Sequence, residues 1–200
     1  MPIEIEAKFR LTSPHALTRR LNQASARRVA LIREVNTYFD TASQDLKRAD
    51  RGLRVRIEDV EGRGSRVVIT HKGPRVHGPL KSRQEDECEV GTAEDALSML
   101  QALGYRPIMT FEKRRTRYTL GSCRIELDEL PLLGWFAEIE GPTDDEVIAA
   151  RDALKLDGNE MLRASYIALL QAYASEHGLA ETILRLPEPG PALEALPAAG

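Results

Sequence analysis

The sequence predicts an α+β fold: an antiparallel sheet closed into a β-barrel, with charged residues turned into the lumen and helices packed outside. Three observations predict it. Segments with a charged residue at every second position recur along the chain, short turns containing Gly or Pro join them, and amphipathic helices interrupt them. A sheet with its charged faces in water would leave the helices no apolar surface beyond a shared core, whereas an inward-charged barrel offers them its whole outside. Charge is also zoned by strand. Arg54 with Arg56 and Lys113 with Arg115 are purely basic, and Glu85 with Glu87 and Glu138 with Glu140 purely acidic, where a solvated face would mix Lys, Glu, Thr and Ser.

Taken in order, residues 3–9 alternate Ile3, Ile5, Ala7 and Phe9 with Glu4, Glu6 and Lys8, which places two carboxylates and an ammonium on one strand face. Thr12 or Ser13 before Pro14 starts a helix whose apolar stripe is Ala16, Leu17, Leu21 and Ala24. Residues 29–41 read as extended, with Val35, Thr37 and Phe39 opposed to Asn36, Tyr38 and Asp40, and run into a polar linker. From Gly52, the residues Leu53, Val55 and Ile57 oppose Arg54 and Arg56. A Gly-rich turn at 61–65 leads into a second strand, 66–72, ended by Gly73 and Pro74. The segment up to Lys81, with Pro74, Gly78 and Pro79, suits a mobile surface loop. Arg83, Glu85, Glu87 and Glu89 then share a face. Residues 92–103 form a helix with Thr92 as cap, Asp95 completing a capping box and Gly104 as its stop.

The second half repeats the theme. Lys113, Arg115 and Arg117 share a face, as do Arg124, Glu126 and Asp128 after the Gly121-Ser122 turn, and Glu138 and Glu140 after a turn at 131–134. Residues 143–154 make a helix boxed by Thr143 and Glu146. Residues 159–175 make another, with Leu162, Tyr166, Leu169, Leu170 and Tyr173 facing the core. One domain over residues 1–178 is expected, followed by an extension that is disordered from about 187, where Pro and Ala dominate.

A net charge of -3, from 28 basic and 31 acidic side chains, argues against a general nucleic-acid binder, which needs a basic face. Cys88 and Cys123 sit among strand residues and read as reduced, buried small side chains, with no disulfide framework or metal knuckle. No signal-peptide core and no apolar run of membrane-span length is present, so a cytoplasmic protein without membrane contact is expected, monomeric or homodimeric. His15, His71, His77 and His177 lack a zinc-site spacing to carboxylates. Gly73 and Gly78 resemble the start of a phosphate-binding P-loop, but Lys81 and Ser82 are displaced and no strand-to-helix context follows.

Like charges about 4 Å apart repel by about 4 kcal/mol at the effective dielectric of a protein surface, so same-sign rows need opposite charge between them. Clustered carboxylates recruit a hard divalent cation, and a ring of Arg and Lys recruits a multiply charged oxyanion. A polyphosphate with bound Mg²⁺ or Mn²⁺ satisfies both.

The ordered set Glu4-x-Glu6-x-Lys8, Tyr38 to Thr41, Gly52 to Arg56, Lys72-Gly73-Pro74, and Leu127-Asp128 followed by Glu138 to Glu140 resembles the CYTH family, the triphosphate tunnel metalloenzymes, over about residues 1–172. That resemblance implies an eight-stranded antiparallel tunnel, open at both ends, with triphosphate bound inside. It implies Glu4, Glu6, Asp128, Glu138 and Glu140 as metal ligands or their neighbours. Lys8, Arg54, Arg56, Lys72, Lys113 and Arg115, joined by Arg83 and Arg124, would hold phosphate, and Glu85 and Glu87 match an acidic strand of the family. The family includes class IV adenylyl cyclases, thiamine triphosphatases and inorganic triphosphatases. Three readings follow. The first is a metal-dependent hydrolase of a terminal phosphoryl group, with Lys8 or Lys72 assisting deprotonation of water. The others are a cyclase converting ATP to cyclic AMP and pyrophosphate, and a polyphosphate- or nucleotide-binding module without turnover.

Overall fold

Period-two alternation in the chain becomes a sheet that closes on itself. The structure, a computed structural model, describes residues 3–76 and 78–187. Its elements are β1 (Ile3–Leu11), α1 (Pro14–Gln23), β2 (Arg27–Asp40), α2 (Asp45–Arg48), β3 (Gly52–Val60), β4 (Gly64–Val76), β5 (Lys81–Val90) and α3 (Ala93–Ala102). There follow β6 (Arg106–Leu120), β7 (Cys123–Leu130), β8 (Gly134–Gly141), α4 (Asp144–Ala153), α5 (Tyr166–Glu176) and β9 (Ile183–Leu184). Neighbours run β2-β3-β4-β5-β1-β8-β7-β6, and β6 pairs back onto β2. The result is the expected closed antiparallel barrel of eight strands, in which every strand has a neighbour on both sides.

The outward apolar rows are covered by helices. Phe9, Ile125, Ala137 and Ile139 pack with Leu17 and Leu21 of α1 and with Val147, Ala150 and Leu154 around α4. Phe39, Leu53 and Val55 pack with Ala96 and Leu100 of α3. Each Val, Leu, Ile or Phe among them contributes roughly 1.5–3 kcal/mol when removed from water. Helix α4 comes so close to β8 that a Cβ on Gly141 would lie 2.9 Å from both Cys123 Sγ and Val147 Cγ2, so only glycine fits there. Thr92 and Thr143 accept hydrogen bonds from the backbone N–H of Asp95 (3.1 Å) and Glu146 (3.3 Å), the two boxes read from the sequence.

Several elements differ from expectation. Strand β4 does not end at Gly73 and Pro74. A bulge between Lys72 and Arg75 absorbs the proline, which has no N–H to give, and pairing resumes at Arg75 opposite Arg83. Asp50 holds the resumed strand by accepting from the Arg75 backbone N–H at 2.9 Å. The polar linker contains α2, anchored by buried Asp40, whose carboxylate accepts from the N–H groups of Thr41, Leu46 and Lys47. The last helix starts at Tyr166, not at 159. Strand β1 outruns its pairing with β5, which stops at Glu6, and its later carbonyls need donors: Leu162 N–H bonds Lys8 C=O (2.8 Å) and Asn159 Nδ2 bonds Arg10 C=O (3.1 Å). Those bonds keep the segment extended until Ser165 caps α5. Cys88 is exposed and Cys123 buried.

Helix α5 lies over one end of the barrel, where Met109, Phe111, Leu130 and Phe136 meet Tyr166 and Leu170. Beyond it, β9 pairs in parallel with β6, and Leu184 is buried. The tail expected to be disordered falls, from 188 on, outside the described residues, as does His77. No helix among the described residues is long and apolar enough to cross a membrane.

Candidate active site

Strand register decides which charges meet inside. Across β1 and β8, Lys8 faces Glu138 and Glu6 faces Glu140; across β1 and β5, Glu6 faces Lys81 and Glu4 faces Arg83. Across β4 and β5, Lys72 faces Glu85, and across β6 and β7, Arg115 faces Asp128. Every site residue predicted from the sequence except Asp128 lines one cavity of about 690 Å³, including Glu4, Arg54, Lys113 and Glu138 from four different strands.

One wall, built from β2, β3, β6 and β7, is a lattice of interlocked opposite charges. Arg115 donates in a fork to Asp128 at 2.7 and 2.6 Å, donates to Glu138 at 2.7 Å, and also touches Glu126. Lys113 lies between Glu34 at 3.1 Å and Asp128 at 3.3 Å. Arg56 reaches Glu34 at 3.3 Å and donates to Asn36 at 2.7 Å. Burial opposes ionisation of Glu34, but Arg56, Lys113 and Arg115 outweigh it and hold the carboxyl well below its ordinary range. Glu138 is partly buried and likewise depressed, because Lys8 and Arg115 outweigh its desolvation. Asp128 is fully buried, and Tyr166 donates its phenolic proton to it at 2.9 Å. With its oxygens taken up by Arg115, Lys113 and Tyr166, Asp128 braces the wall from behind the cavity. Around the cavity three guanidinium donors are less occupied: the Nε atoms of Arg54 on β3, Arg83 on β5 and Arg124 on β7 are buried with no hydrogen-bond partner among the described residues.

The facing wall, from β1, β5 and β8, is arranged differently. Glu4 shares hydrogen bonds with both Glu85 and Glu140. Burial pushes Glu85 up to about 7, helped by its bond to Glu4 and against the pull of Lys72. Burial and the Glu4 charge push Glu140 up to about 8. Glu4 itself falls well below its ordinary range, because its hydrogen bond with Glu85 and the Lys72 ammonium outweigh its burial. Nearby, Lys81 donates to Glu6 at 2.5 Å, and Lys8 sits 3.2 Å from Glu138 and 4.0 Å from the centre of the Tyr166 ring. Lys72 contacts Glu85, and Arg124 contacts Glu140.

No three acidic, His or Cys side chains among the described residues form a ready coordination cage. Even so, three carboxylates that crowd together on shared protons are a donor set of hard oxygens, which fits Mg²⁺ or Mn²⁺ with substrate and water oxygens completing the shell.

The sequence reading did not assign Glu34, Glu58, Lys81, Glu126 or Tyr166 to the site, and the structure brings all five in. Glu58 and Glu126 carry on the parity of Arg56 and Arg124, and that parity is the signal that could have found them. Glu34 shares its parity with Asn36 and Tyr38. Lys81 sits at the start of a strand, in what reads as loop, and nothing in the sequence announces that Tyr166 turns from a helix into the lumen.

A family model described as the CYTH domain matches residues 2–168. Adenylate cyclase CyaB of Aeromonas hydrophila is 32% identical over 151 residues, covering 72% of this chain and 72% of the relative. A candidate adenylate cyclase of Methanocaldococcus jannaschii is 24% identical over 176 residues, covering 84% and 98%. Among solved structures, a Pyrococcus horikoshii protein matches with a TM-score of 0.75 at 26% identity, covering 85% of this chain and 99% of its own. A Hippeastrum protein, described as a candidate adenylyl cyclase with a dominant triphosphatase activity, matches with a TM-score of 0.67 at 23% identity, covering 86% and 96%.

Proposed function

The chain belongs to the CYTH domain family, and from that premise we propose that it is a divalent-cation-dependent hydrolase. Its substrate is a triphosphate, either tripolyphosphate, thiamine triphosphate or a nucleoside triphosphate, from which it removes the terminal phosphoryl group. The observation that carries this reading is one cavity that sets guanidinium and ammonium groups beside a crowded cluster of carboxylates.

In this proposal Arg54 and Arg83 grip the anion through their unpaired donors, and Arg56, Lys8, Lys72, Lys113, Arg115 and Arg124 surround it. Glu4, Glu85 and Glu140 would hold Mg²⁺ or Mn²⁺, with Glu6 and Glu138 beside them. When bound, such a cation draws charge from the phosphoryl oxygens. The basic wall stabilises the negative charge that builds on those oxygens, and because Asp128, Glu34 and Tyr166 already orient it, little reorganisation accompanies reaction. Lys8 and Lys72 each lie against carboxylates, so the proposal gives them phosphate contact and no proton-accepting role. Glu87, half-exposed beside Arg54, lies toward the rim.

A second reading, cyclisation of ATP, is supported by the 32% identical relative named adenylate cyclase CyaB. Product analysis separates the two. Purified chain is incubated with Mg²⁺ or Mn²⁺ and tripolyphosphate, thiamine triphosphate or ATP. Orthophosphate supports hydrolysis, and cyclic AMP with pyrophosphate supports cyclisation. No product from any of them would leave a binding module.

A further inference from the structure

One edge of β1 has two kinds of neighbour along its length. Its ladder with β5 runs from Ile3 to Glu6 and stops where Glu6 meets Lys81, the first residue of β5. Beyond that point the edge is covered by residues 159–164, the strap that leads into α5. Leu162 N–H bonds Lys8 C=O at 2.8 Å, Asn159 Nδ2 bonds Arg10 C=O at 3.1 Å, and Met161 bridges Phe9. The other flank of the strap meets the turn before β5. There Arg163 Nη2 donates to Gly78 C=O at 2.9 Å and to Pro79 C=O at 2.7 Å. Arg163 thus ties together the two sides of a gap in the sheet.

Both sides end on ammonium groups of the lumen. Ala164, the residue after Arg163, accepts from Lys8 Nζ through its C=O at 3.1 Å. Lys8 has three N–H donors; Ala164 and Glu138, the latter at 3.2 Å, take two and leave one for a ligand in the cavity. On the other side Lys81, two residues after Pro79, donates to Glu6 at 2.5 Å. Glu6 also lies 3.9 Å from Lys8, so a Glu6 released by Lys81 would draw the Lys8 ammonium to itself. We infer that Arg163 is a positioning residue for the anion site: its hold on Gly78 and Pro79 keeps Ala164 on Lys8 and Lys81 on Glu6, so that the third Lys8 donor stays free for phosphate. The inference rests on the triphosphate reading above. Arg163 borders the cavity, yet its Nη2 protons go to carbonyls of the turn, and its effect on the anion runs through Lys8.

Amide hydrogen exchange and calorimetric binding of tripolyphosphate test this on the full chain, as wild type, Arg163→Met and Arg163→Lys. Arg163 is exposed and Met keeps its aliphatic stem, so the barrel is retained. In Arg163→Met the Leu162 amide is expected to exchange about tenfold faster, while buried Ile139 is unchanged, and tripolyphosphate to bind about fivefold more weakly. Arg163→Lys keeps a cation and a donor but not the planar fork, so exchange and binding should recover in part and together. In a Lys8→Met background, Arg163→Met should weaken binding by less than about twofold further. A full fivefold loss in that background would make Arg163 a direct anion contact and overturn the positioning role. An unchanged Leu162 exchange rate overturns it too. Should Lys8→Met fail to fold, Arg163→Lys decides: binding restored without slower Leu162 exchange means that only the charge matters. If the wild type binds tripolyphosphate and Arg163→Met binds it as tightly, the positioning role alone falls. A wild type that binds none removes the triphosphate reading and the positioning role with it.

Discussion

The two walls of the lumen use the same residue types to opposite effect. Around Glu34 and Asp128, each carboxylate is enclosed by cations, and Arg115 alone contacts Asp128, Glu126 and Glu138. Around Glu4, carboxylates face one another and share protons. The first arrangement is self-sufficient, so it can hold a basic surface rigid. The second is held together by protons that the buried carboxyls retain, so in the proposal it can exchange those protons for a cation. Rigidity and responsiveness thus come from register alone: Arg115 opposes Asp128 across one strand pair, and Glu6 opposes Glu140 across another.

The largest expected effect tests the rigid wall. Asp128→Ala strips Arg115, Lys113 and Tyr166 of a shared acceptor in a fully buried position, and breaking such a network should lower unfolding free energy by about 3–5 kcal/mol in chemical denaturation. A loss under about 1 kcal/mol would show that the wall does not depend on its internal counter-charge. The responsive wall should behave in the opposite way. Glu140→Gln is expected to leave metal-free stability within about 1 kcal/mol of the wild type, because the amide keeps a donor toward Glu4 where the raised Glu140 carboxyl holds a proton, yet to reduce Mg²⁺-dependent turnover about a hundredfold. Comparable losses of stability and turnover would erase the distinction between the walls.

A smaller effect is expected from Tyr166→Phe. It removes one hydrogen bond to Asp128 while the ring still underlies Lys8 and Lys113, so about 1 kcal/mol of stability should be lost. Finally, the walls should titrate in opposite directions. Glu85 and Glu140 are raised, so the folded state holds protons that the unfolded chain releases. Their contribution is full below the ordinary glutamate range and is lost as pH rises toward 7 and 8. Glu34 and Glu138 are depressed, so their contribution is present above that range and is lost as the solution becomes strongly acidic. Denaturation midpoints across pH 5 to 9, with and without Mg²⁺, should show a decline on the alkaline side that Mg²⁺ removes. A decline that persists with Mg²⁺ would mean the carboxylates do not meet the cation.

Much of this was legible in the chain, because parity survives folding: a residue two positions from Arg54 on the same strand must share its face, so Arg56 followed directly, and Glu58 was open to the same argument. Parity fails where the backbone breaks pattern. The bulge after Lys72 carried β4 past a proline that reads as a stop. The pull of unpaired carbonyls at Lys8 and Arg10 held residues before Tyr166 extended against their helical periodicity.

By itself, the sequence determined that the strands carry inward charge, that this charge is zoned by sign, and that apolar faces remain for helices to cover, since all three follow from local alternation. Only the tertiary structure decided which zones meet. It set Asp128 behind Arg115, and Glu4 against Glu85 and Glu140. It also brought Lys81 onto Glu6 and turned Tyr166 into the lumen. Except for the β6–β7 hairpin pair of Arg115 and Asp128, these are contacts between elements remote in sequence, and no pattern within a single segment encodes them.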